Sequence, residues 1–65
     1  MGFKVFFKEE LIMEGVLLIK SNPIGVALKD DNGVTKIIDG VNIAEVDGYR
    51  NFVMLRSFQK GVQSQ

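Results

Sequence analysis

Between Leu11 and Val46 the sequence never runs more than ten residues without a turn-forming break. It reads LIMEGVLLIK, SNPIG, VALKDD, NG, VTKIID, GVN and IAEV. No piece keeps an amphipathic helical period for three turns, so long helices are excluded and short strands remain. The spacing of the breaks predicts an all-β domain built as a small, strongly bent barrel of five or six antiparallel strands.

The strands can be placed by side-chain alternation. Phe3 to Lys8 sets Phe3, Val5 and Phe7 on one face and Lys4, Phe6 and Lys8 on the other. Glu9-Glu10 is a poor tight turn, because neither residue readily takes positive φ, and Lys8 to Met13 could instead hold a helical turn. Leu11 to Lys20 is apolar on both faces, with Gly15 in its middle, as in a central or sharply bent strand. Ser21-Asn22-Pro23 interrupts it, since proline cannot donate to a ladder. Ile24, Val26 and Leu28 then alternate with Gly25, Ala27 and Lys29. Asn32-Gly33 predicts a type I′ hairpin into Val34 to Asp39. Gly40-Val41-Asn42 makes a second tight connection into Ile43 to Val46, and Asp47-Gly48 makes a third. Asn51 to Phe58 closes the set, with Val53 and Leu55 on one side and Phe52, Met54 and Phe58 on the other. Residues 1–58 form one barrel domain in this reading, and Gln59 to Gln65 is a polar C-terminal tail.

Size adds a second constraint. A chain of 65 residues without cysteine has neither a disulfide nor a Cys/His metal cluster to reinforce its core. With 46% hydrophobic residues it carries more apolar surface than so small a domain can hide, so a homo-oligomer is expected. Lys plus Arg and Asp plus Glu number 8 each, which removes long-range attraction to nucleic acid or anionic lipid but leaves room for a local patch. The longest uncharged stretch, Ser21 to Leu28, cannot span a membrane as a helix, and Lys4, Lys8, Glu9 and Glu10 interrupt any signal-peptide core. A cytoplasmic location is the expectation.

Two motifs carry a resemblance. Leu11-Ile12-Met13-Glu14-Gly15-Val16-Leu17 is similar to the second strand of the Sm/LSm/Hfq family of small bent barrels, with its glycine at the bend. Ile37-Ile38-Asp39-Gly40-Val41-Asn42-Ile43 resembles the family's second Sm motif, matching at Gly40 and Asn42. Asp39 replaces the family's arginine, Val41 replaces its aspartate, and the loop at Asn22 lacks the usual aromatic. The resemblance covers Phe3 to Val46. It implies an oligomeric barrel that binds single-stranded RNA near two loops.

No histidine or cysteine is present, so the usual general base and thiol nucleophile are missing and an enzyme is not expected. No cofactor is implied. Asp30, Asp31, Asp39, Glu45 and Asp47 could gather around a hard cation, although Asp30 and Asp31 suit a solvent-side turn better. RNA recognition needs basic and aromatic groups together. The candidates are Lys20, Asn22, Gly40, Asn42, Tyr49 and Arg50, with Phe52 and Arg56 nearby. Three of them have a plainer reading: Tyr49 covers a barrel end, Arg50 is a solvated turn charge, and Asn42 bonds backbone in its own turn. Two functions therefore stay open. One is an RNA-binding Sm-like oligomer, favoured by the motifs around Gly15 and Gly40. The other is a protein-interaction or assembly module, favoured by the neutral charge and Asp39.

Overall fold

A computed structural model describes residues 1–58; the expected tail, residues 59–65, lies outside them. Six strands follow in chain order: β1 (Phe3–Phe7), β2 (Glu10–Ser21), β3 (Gly25–Asp30), β4 (Thr35–Asp39), β5 (Val41–Asp47) and β6 (Phe52–Ser57). There is no helix among the described residues, so the all-β expectation holds. The strands form one sheet in the order β4-β3-β2-β1-β6-β5.

Two features of the expected barrel are corrected. The first is closure. β4 and β5 stand at the two ends of the sheet order and do not pair. The chain passes from one to the other through Gly40 alone, and one residue is too short for a hairpin. Gly40, at φ +81°, makes a corner instead. Its amide donates to the Ile24 carbonyl at 2.8 Å, and its carbonyl accepts from the Phe58 amide at 2.9 Å. The sheet thus curls until its ends share a corner, without being hydrogen-bonded shut. The second correction is strand direction. β1 and β6 run parallel, Lys4 to Phe7 beside Phe52 to Leu55, so the sheet is mixed rather than wholly antiparallel.

β2 bends where its glycine predicts. Gly15 has φ +67°, and its carbonyl accepts from the Asp31 amide at 2.9 Å. The pairing with β3 slips between Val16 and Leu18, and that with β1 slips between Phe3 and Phe6. Simple alternation fails across these bulges, because each extra residue swaps the faces. Leu17 and Leu18 are both exposed, whereas Ile12 and Met13 both pack against the core.

The turns differ from expectation in instructive ways. Lys8-Glu9, not Glu9-Glu10, links β1 to β2, and no helical turn forms there. Both residues are left-handed, at φ +52° and +68°, the signature of a type I′ turn made without glycine or asparagine. At the β3–β4 hairpin Asp31 and Asn32 keep negative φ and only Gly33 is left-handed, at φ +83°. The Gly33 amide donates to the Asp30 carbonyl at 3.0 Å, which makes a type I turn closed by glycine rather than type I′. The Asp30 carboxylate favours this form, because its Oδ1 accepts from the Asn32 and Val34 amides at 2.9 Å each.

The core consists of Val5, Val16, Val26, Leu28, Val41, Val53 and Leu55. Phe3, Phe7, Ile12, Met13, Ile19, Ile38 and Ile43 pack around it. β3 and β6 bury alternate residues, as expected of regular strands. At Gly25 any Cβ would collide with the Ile38 carbonyl oxygen, so glycine lets β4 approach.

Two substitutions test these local arguments by urea denaturation. Gly25→Ala should destabilise by about 1–3 kcal/mol through overpacking. The pair Lys8→Asn and Glu9→Gly should stabilise by about 1 kcal/mol, since it relieves left-handed strain in residues with a Cβ.

Candidate functional site

The six residues singled out for RNA recognition fall at two ends of the sheet. Lys20, Asn22, Gly40 and Asn42 lie toward the Gly40 corner. Asn22 organises the β2–β3 loop: its Oδ1 accepts from the Ile24 and Gly25 amides at 2.8 Å each, and its amide donates to the Gly25 carbonyl at 2.9 Å. The Ile24 carbonyl in turn holds Gly40, so Asn22 and Gly40 are brought together around an exposed isoleucine. Lys20 is exposed and lies opposite Ala27 in the β2–β3 register. Asn42 is half-buried opposite Arg56 in the β5–β6 register. Much of the corner's hydrogen-bonding capacity is spent on its own backbone, and a ligand would meet Lys20 and the Asn22 Nδ2 group.

Tyr49 and Arg50 lie beyond the other end of β5. Seven residues of strand span roughly 20 Å, so they cannot contact the same nucleotide as Asn22. Tyr49 is 100% exposed and covers nothing. Arg50 is held locally. Asp47 Oδ1 accepts from the Tyr49 amide at 2.8 Å and the Arg50 amide at 3.0 Å, and Asp47 Oδ2 accepts from Arg50 Nε at 2.9 Å. This is the only ion pair among the described residues. The Arg50 guanidinium also lies 5.2 Å from the centre of the Phe52 ring. Donation from the Arg50 amide, aided by its side chain and the Tyr49 amide, holds the Asp47 carboxyl below its ordinary value.

Sequence reasoning missed a third place. On the outer face of the β1–β6 pair, Phe6, Phe52, Met54 and Glu9 line a cleft of about 330 Å³. The two rings meet edge to face, with centroids 6.3 Å apart and planes at 83°. Phe6 stands out in the sequence as an aromatic on the lysine-bearing face of FKVFFK. Its neighbour Phe52 becomes visible only through the parallel register, which sets Phe6 beside Met54 and Lys4 beside Phe52.

A fourth, polar cleft of about 440 Å³ lies between the Gly2–Lys4 end of β1, the Gly15 bend and the Asp30–Asn32 turn. The sequence left open whether Asp30, Asp31, Asp39, Glu45 and Asp47 gather around a cation. Among the described residues no three of them converge as metal ligands. Asp30 is engaged in its own turn.

Asp47 gives a pH test. Its pKa is lowered in the fold, so the stability it adds is complete above the ordinary carboxylate range and lost as pH falls through the lowered folded value. Urea midpoints followed through the acid range should drop more for the natural chain than for Asp47→Asn. In comparisons with known proteins, the chain matches no family model, no curated protein and no solved structure.

Proposed function

We propose that the protein is a non-catalytic interaction and assembly module that joins copies of itself through its sheet edges. The observation that carries this reading is the pair of edge strands, each unpaired along its outer side among the described residues and each bearing a solvent-facing aliphatic side chain. Ile37 on β4 is 69% exposed and Val46 on β5 is 59% exposed. Unpaired strand edges offer backbone donors and acceptors to another strand. Ile37 and Val46 add apolar area to be covered, and the seven-residue core is small enough to benefit from it.

A second reading keeps the Sm-like oligomer that binds single-stranded RNA. Tyr49 supports it, because a fully exposed aromatic beside an arginine is a natural base-stacking group. Against it stand the zero net charge, the engagement of Asn22 and Arg50 in their own turns, and the separation of the two groups.

Light scattering should give a multiple of the 7.2 kDa chain mass, and Ile37→Lys should shift it toward the monomer. A monomeric mass for the natural chain at high concentration would overturn the assembly reading. Filter binding to oligo-U and oligo-A at low salt should show no retention; retention that Tyr49→Ala abolishes would favour RNA instead.

A further inference from the structure

We propose that the Phe6–Phe52 cleft receives a methylated lysine side chain from a protein partner, an assignment that rests on the protein-interaction reading. The argument starts from ring geometry. With planes at 83° and centroids 6.3 Å apart, Phe6 and Phe52 form two walls of a corner. A planar base could stack on only one of them, whereas a compact cation can touch both. Met54 completes the apolar lining, and Glu9 supplies its one charge. Glu9 makes no ion pair among the described residues. Glu45, exposed on β5 and opposite Met54 in register, adds a second carboxylate on the same side. Lys4, beside Phe52 on the same face, lines the polar cleft instead, and Lys8 lies 5.3 Å from the Phe7 ring centre, so the charge inside this cleft is that of Glu9 and favours a cation over phosphate.

The structure already contains one instance of the chemistry. The Arg50 guanidinium lies 5.2 Å from the Phe52 ring centre, its charge offset by Asp47 at 2.9 Å. Arg50 does not line the cleft, so the corner beside Phe6 stays open.

Methylation follows from the lining. An unmodified ammonium carries three N–H donors. Inside this cleft only Glu9 can accept, and donors left without partners are costly. Methyl groups replace those donors with apolar contact while the charge remains. The sheet also provides a track for the rest of the side chain. Leu11, Phe6, Met54 and Glu45 lie in one row across β2, β1, β6 and β5. Leu11 is 45% exposed. With strands about 4.8 Å apart, Leu11 stands roughly 10 Å from Met54, room enough for a four-carbon lysine stem to lie on Leu11 and Phe6. Choline has no such stem and would leave that track bare.

The experiment titrates the whole chain with a peptide carrying trimethyllysine, the same peptide with plain lysine, its neutral tert-butyl isostere, and free choline. The Met54 methyl resonance is followed throughout. The trimethyllysine peptide should shift that resonance and bind about tenfold more tightly than each of the other three. Phe6→Leu should remove about that tenfold advantage, and Glu9→Gln should weaken binding several-fold. Circular dichroism checks the fold of both variants; if Phe6→Leu unfolds, the isostere and Glu9→Gln decide. Equal binding of the plain or isosteric peptide, choline matching the trimethyllysine peptide, or an unmoved Met54 resonance would each overturn the assignment. Light scattering on the same samples separates the two readings. An assembled chain that ignores the peptide overturns the cleft alone, and a monomer that binds it overturns assembly alone.

Discussion

The fold depends on one corner. Gly40 joins two strands that lie at opposite ends of the sheet order, and no regular turn is available to do so. Its left-handed backbone, the hydrogen bond to Ile24 and the hydrogen bond from Phe58 fix where the two ends of the sheet meet. The curl that brings them there wraps the sheet around Val26, Leu28, Val41, Val53 and Leu55. A flatter sheet would leave these side chains in water, and each buried Val or Leu contributes about 1.5–3 kcal/mol. Gly15 and the bulges of β2 supply the rest of the bend at the other long strand.

The same curl explains what faces outward. Because the sheet folds on itself rather than pairing shut, its inner surface is shared among seven side chains and its edges stay unpaired among the described residues. Leu17, Leu18, Ile37 and Val46 are exposed as a consequence. The Phe6–Phe52 corner occupies the outside of the parallel pair, where a regular register holds both rings in place. The assembly and the recognition proposed above would thereby fall to different parts of the molecule, the first to β4 and β5 and the second to β1 and β6.

Much of the strand content was legible from alternation. β3 and β6 are regular, so Val26, Leu28, Val53 and Leu55 fall on the core face as their spacing requires. β2 was not legible in the same way, because its bulges change face without any mark besides Gly15. The Lys8-Glu9 turn carries no glycine or asparagine, so local propensity points away from it and the pairing of β1 with β2 imposes it. The parallel β1–β6 contact joins residues almost fifty positions apart, which no short-range pattern encodes. The site followed the same rule. The self-contained loop at Asn22 agrees with its sequence, whereas the ring pair is a product of long-range register.

That register also bears on how the protein is made. The antiparallel neighbours β2, β3 and β4 can zip together as they leave the ribosome, each following its predecessor through a short turn. β1 cannot gain its second partner until Phe52–Ser57 has been synthesised. A nascent chain stalled before that point would hold Phe6 and a strip of unsatisfied amides open to solvent, a sticky state that slow translation would prolong.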